Sequence, residues 1–169
     1  MNHLEIAAEL SRNKEVFKNL FEGIEPAQFI WRPQPDKWCL LEILCHLYDE
    51  EREDFRARVK HILDTPDEPM PKIDPQAWVK ERFYMDRDYN DMLEKFIEER
   101  EASVAYLENL ENIRWENVYQ HPKVGPIPAS LIMHNWIAHD YLHIRQIIAT
   151  KYQYLKARPT DPLDYAGEW

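Results

Sequence analysis

The residues best suited to chemistry in this chain are its histidines. Seven occur, at positions 3, 46, 61, 121, 134, 139 and 143. His139 and His143 stand four apart in the segment LIMHNWIAHDYLHIRQI, residues 131–147. At about 100° per residue they fall about 40° apart on a helix, on one face with Ile132, Trp136 and Ile147. Two imidazoles turned toward a core need two polar partners, whereas one metal ion satisfies both. Their i, i+4 spacing is the one with which a helix offers two nitrogens to a single ion. His134 falls on the opposite side and is expected at the surface or at a helix contact.

A third ligand must come from another helix, and His46 is the best placed of the remaining histidines. It lies off the centre of its own apolar stripe, nearest Ile43 and Leu47, with Asp49, Glu50 and Glu53 on its side. This placement fits a plain surface histidine, and it fits equally an opening at the bundle end lined by carboxylates. Glu50, about 40° from His46 on the helical wheel, is the candidate general base, with Asp49 second. For both, a solvated helix face is the competing explanation. Asp140 lies toward the apolar side of its helix, about 100° from His139. It must find a partner there, either an arginine from another helix or a ligand imidazole. Two other metal chemistries fit poorly. In HDYLH an aspartate replaces the glutamate that the zinc-protease helix motif requires. A di-iron bundle needs paired Glu-x-x-His motifs, and Ile43 and Trp136 stand three residues before His46 and His139.

The elements that must carry these residues read as helices. Only three glycines occur in 169 residues, too few for the tight turns of a sandwich or barrel. Residues 3–24 read as a first helix, with Ile6, Leu10, Phe17, Leu20, Phe21 and Ile24 at helical spacing. A proline-rich loop follows at 25–37, its Phe29 and Trp31 pinned to the bundle end. The second helix is expected from an Asp36 cap to about Leu63, with Leu41, Leu44, Tyr48, Phe55, Val59 and Ile62 inward. Residues 64–75 contain four prolines and read as a crossover loop. A third helix starts at Asp74-Pro75 and runs to about Leu110, with a break at 84–88 and Phe83, Met92, Phe96, Val104 and Leu107 in the core. Residues 111–129 read as irregular, 129–150 as the fourth helix, and 151–169 as a tail packed on the surface. The expectation is one all-α domain spanning 1–169, an antiparallel four-helix bundle with a long crossover between its second and third helices.

Composition narrows the partners. The net charge is −10, and no basic cluster exists to displace counterions from phosphates. Nucleic acid and anionic membrane surfaces are therefore not expected. No apolar run approaches the ~20 residues of a membrane span, and the first residues lack a signal core. Cys39 and Cys45, six apart on one helix, point to different sides and read as reduced thiols of a cytoplasmic protein.

The block WRPQPDKWCLLEILCHLYDEE (31–51), followed by AHDYLHIRQI (138–147), resembles the DinB-like superfamily. That group includes YfiT-type metal-dependent hydrolases and bacillithiol- and mycothiol-dependent transferases. The resemblance covers essentially the whole chain. It implies metal ligands at His46, His139 and His143, zinc or nickel as the ion, an up-down-down-up bundle and a homodimer. One position departs from the family pattern: Cys39 stands where serine or threonine is common after the tryptophan. Three neutral histidines leave a coordination position open, which marks a catalytic zinc site and suits a water or a thiolate. The resemblance thus implies a small-molecule substrate or a low-molecular-weight thiol. Hydrolysis and thiol transfer are the enzymatic expectations, and a non-catalytic metal-binding stress-response protein is the alternative.

Overall fold

The computed structural model describes residues 1–158 and 161–167. Helix α1 (His3–Phe21) opens on a reciprocal cap. Asn2 Oδ1 accepts from the Glu5 amide at 2.9 Å, and the Asn2 amide donates to Glu5 Oε2 at 2.7 Å, so two otherwise unpaired donors are satisfied. The helix ends before residue 24 because Glu22 is extended and Gly23 turns left-handed at φ 68°. A single turn, α2 (Pro26–Phe29), occupies the expected loop. Phe29 stacks on Tyr89 with ring centres 4.3 Å apart, and Trp31 meets Tyr154 at 5.5 Å.

The second rod is composite. It comprises α3 (Leu40–Asp49), a π-helical stretch Glu50–Phe55 and α4 (Arg56–Asp64). Its cap is Cys39, not Asp36. Glu42 reaches back to accept from the Cys39 amide at 3.0 Å and is itself paired with Arg32, which fixes the start three residues later than an Asp36 cap would. The third rod is broken. After α5 (Pro75–Glu81) the chain passes through a 3-10 turn, Tyr84–Asp86, into α6 (Tyr89–Glu108). Phe83, expected in the core, is 66% exposed and left-handed at φ 52°. The reversal turns its side chain outward and gives the buried aromatic slot to Tyr84, whose hydroxyl donates to Asp49 at 2.6 Å. Residues 118–128, expected to be irregular, form a hairpin of β1 (Val118–His121) and β2 (Gly125–Pro128). It is antiparallel, with Val118 opposite Pro128 and His121 opposite Gly125. The left-handed φ of 83° at Gly125 begins the return strand, and His121 Nδ1 accepts from the Lys123 amide at the tip. The fold is thus mainly helical with one small sheet.

The last rod, α7 (Ala129–Lys156), outruns the expected end at 150. Beyond it Leu163 is half-buried and Tyr165 fully exposed; positions 159, 160, 168 and 169 of the same tail lie outside the described residues. Helix α1 packs on α6 and α7, α3 on the same two, and α4 on α7. These four rods enclose two apolar clusters. One is built on Phe17, Phe21, Leu44, Leu47, Met92, Phe96 and Ile147. The other is built on Ile6, Leu10, Phe55, Val59, Leu107, Met133 and Trp136. Between them runs a buried polar belt: Asn13 of α1, Glu50 and Glu51 of the π stretch, Arg100 of α6 and Asp140 of α7. No described helix is long and apolar enough to cross a membrane. Cys39 and Cys45 are both buried free thiols, and burial pushes them up to about 11 and about 12.

Candidate metal centre

The three histidines singled out by sequence meet at the edge of this belt. His46 arrives from α3, and His139 and His143 from successive turns of α7. His139 Nε2 lies 3.3 Å from His46 Nε2 and 3.0 Å from His143 Nε2. Two imidazoles bound to one tetrahedral ion at 2.0–2.1 Å hold their nitrogens about 3.3 Å apart, so the spacing is close to that of ligands. Among the described residues, these three form the group of histidine, cysteine and carboxylate side chains able to share an ion. Without an ion, His139 Nε2 faces two ring nitrogens with a single proton or lone pair. The donor set therefore fits a divalent metal of the kind that takes imidazole.

Electrostatics keep the rings in the ligand form. Burial, then the neighbouring His143, pushes His46 down to about 3. Burial, then His143, His46 and Arg100, pushes His139 down to about 2. Burial also lowers His143, against smaller opposing contributions from Gln146 and Asp140. Trp38 covers His46 with ring centres 4.8 Å apart, and Phe55 covers His139 at 4.9 Å. His46 is 5% exposed and the His139 side chain 19%, so the cluster meets solvent on the α7 side. There a cavity of about 460 Å³ is lined by Leu142, His143, Arg145, Gln146 and Ala149.

Of the acids expected beside His46, only Glu50 faces the histidines. Its Oε2 lies 4.0 Å from His139 Nε2. Burial raises its carboxyl to about 8, with Asp54 and then Asp49 adding to the rise and Arg58 opposing it. Asp49 and Glu53 turn the other way. Asp49 binds Tyr84, Arg82 and Arg52, and Glu53 binds Arg82 on both oxygens. The wide π turn rotates the chain less per residue than an α-helix. It therefore carries Glu53 away from the side it would share with His46. Asp140 has the arginine partner expected of it. Both its oxygens accept from Arg100 at 2.7 Å, and Oδ2 also accepts from Asn13 at 3.0 Å. So bound, it is not free to act as a protease base. His134 is exposed, within 3.3 Å of the Met1 carbonyl, as expected.

Glu51 and Arg100 were not singled out by sequence. Glu51 accepts from Arg100 Nε and Nη2 at 2.9 Å each and from Trp136 Nε1 at 2.9 Å. A signal existed in Met92, Phe96, Arg100, Ser103 and Leu107, an apolar stripe of α6 with one arginine in it.

The sequence profile of the DinB superfamily matches residues 9–147, which contain all three histidines and most of the bundle. Curated proteins return no significant match. Among solved structures the chain is similar to YfiT from Bacillus subtilis, described as a probable metal-dependent hydrolase with an unusual four-helix bundle topology. That similarity has a TM-score of 0.77 at 18% identity and covers 89% of this chain and 86% of YfiT. The profile spans well over half of the chain, and the chain belongs to the DinB superfamily.

Proposed function

We propose that the chain is a metal-dependent hydrolase of small molecules, with His46, His139 and His143 as the ligands of one zinc or nickel ion. The observation that carries this reading is the convergence of three neutral imidazole nitrogens, 3.0 and 3.3 Å apart, from two helices. The description of YfiT as a probable metal-dependent hydrolase supports it. A bound divalent ion supplies Lewis acidity there, polarising a carbonyl or acidifying a water or thiol.

The chain's own groups do the rest. The histidines stay unprotonated and so remain donors. Glu50 is the group placed to take a proton at the site and return it to a leaving group, and its raised affinity for protons suits that exchange near neutrality. Asp54, four residues on and paired with Arg58, adds its negative charge to the rise at Glu50. Trp38 and Phe55 keep bulk water from the faces of His46 and His139. Substrate enters past Leu142, Arg145 and Gln146. With a small thiol in place of water, the same residues would serve transfer to an electrophile.

Purified protein reloaded with zinc or nickel is expected to hold one equivalent, and His143→Ala to hold little. A panel of esters and amides is expected to reveal turnover in the wild type. In Glu50→Gln that turnover should fall on the order of 10²-fold with metal content unchanged. Turnover only with a cellular thiol and an electrophile would replace hydrolysis by transfer. Metal retention with no turnover in either panel would overturn the enzymatic reading in favour of a metal-binding protein. Equal metal contents in wild type and His143→Ala would overturn the site itself.

A further inference from the structure

Arg100 is 1% exposed on α6, and its hydrogen bonds go to groups other than the three histidines. Its guanidinium is held on two sides. Nε and Nη2 donate to the two oxygens of Glu51, and Nη1 and Nη2 to the two oxygens of Asp140. Nη1 also reaches the Leu10 carbonyl of α1 at 3.4 Å. One planar group therefore ties the π stretch, α7 and α1 together from α6, in the third rod. Glu51 follows Glu50 directly, and Asp140 follows His139 directly.

Elsewhere at this level the π stretch and α7 meet through one hydrogen bond, from Trp136 Nε1 to Glu51 at 2.9 Å, and through ring packing. Phe55 stacks on Trp136 at 5.6 Å and touches His139 at 4.9 Å. Ring packing tolerates shifts that a metal site does not, since ligand distances must hold within a few tenths of an ångström. A guanidinium chelated on both sides has fixed fork geometry and tolerates little. His46 lies only four residues before the π stretch, so the separation that Arg100 fixes also governs the 3.3 Å spacing of His46 from His139.

We propose that Arg100 is a positioning residue of the three-histidine site, setting the distance between the π stretch and α7 on which the ligand spacing and the placement of Glu50 depend. This rests on the metal reading above. A role in stability alone would leave the coordination sphere unchanged once the protein is folded. The positioning role requires that the sphere change.

The test uses Co²⁺ as the probe, in wild type, in Arg100→Lys and in the apolar triple variant Glu51→Leu/Arg100→Met/Asp140→Leu. Lysine keeps the charge and loses the fork. The triple variant removes every buried charge of the triad, a replacement that often preserves folding. Arg56→Met is the control, because Arg56 bridges α4 to Glu99 and Ser103 of α6 away from the histidines. Circular dichroism in chelator establishes which proteins fold; chelator competition and visible absorption report the Co²⁺ site. Both Arg100 variants are expected to bind Co²⁺ about 10–100-fold more weakly, with altered absorption bands. Arg56→Met should melt lower yet keep the wild-type Co²⁺ affinity and spectrum. A folded Arg100 variant with wild-type affinity and bands overturns the proposal. A wild type that binds no Co²⁺ overturns the metal reading beneath it.

Discussion

Protonation is the most direct way to disturb three imidazoles packed nitrogen to nitrogen. Each of the three is held below its ordinary value near 6.5 by burial and by its neighbours. The unfolded chain therefore takes up protons that the folded chain refuses. The stability these histidines contribute is complete above about pH 6.5 and is lost as pH falls below it, down toward the folded values. Glu50, raised to about 8, and Asp54, raised in the same sense, work in the opposite direction over part of that range. Three groups against two leave a net difference of about one proton, a loss on the order of 1.4 kcal/mol per pH unit. Metal-stripped protein is accordingly expected to show a lower urea midpoint at pH 5.5 than at pH 7.5, with a flatter profile in His143→Ala. A midpoint that is level or rises on acidification would contradict the neutral cluster. The legibility of these residues follows from how local their geometry is. His139 and His143 share one helix, so helical arithmetic suffices to pair them. His46 reaches them across the bundle, which no spacing within its own helix encodes; the family resemblance supplied it.

At the scale of elements, the π stretch Glu50–Phe55 decides which side chains enter the belt. It turns Glu50 toward His139 and Glu51 toward Arg100 and Trp136, while Phe55 still reaches His139. Wide turns of this kind are concentrated at functional sites. Deleting Glu53 would relax the stretch toward continuous α-helix from Leu40 to Asp64. Far-UV dichroism is expected to stay helical while Co²⁺ affinity falls about 10-fold or more, through loss of the carboxylates supporting the ligands. Unchanged affinity would show that the wide turn is dispensable. The long rods were readable because apolar periodicity over many residues outweighs local accidents. The π stretch was not, since EEREDF carries no signal that separates it from an α-helical turn. The break in the third rod was legible at 84–88, but the outward turn of Phe83 and the hairpin at 118–128 depend on single left-handed residues, at Phe83 and Gly125, and on tertiary packing of Tyr84 and Ile127.

For the molecule as a whole, a ligand that binds only the folded state raises stability by mass action. At a free concentration one hundred times its dissociation constant, zinc would add about 2.7 kcal/mol, or roughly 5–10 °C in melting temperature for a chain of this size. Calorimetry with zinc and with chelator is expected to show that difference in wild type and little of it in His143→Ala; equal shifts in both would place the ion elsewhere. The belt of Asn13, Glu51, Arg100 and Asp140 has a further consequence, independent of any ion. It lies between two apolar clusters that by themselves would accept helices slid along one another. Advancing α7 by one turn, about 5.4 Å, would set Trp136 or Ile144 opposite the guanidinium and leave Asp140 stranded in hydrocarbon. Each such misalignment leaves charges buried without partners, at several kcal/mol apiece. The same charged crossing that steadies the histidines thus excludes the shifted bundles that greasy helices would otherwise form.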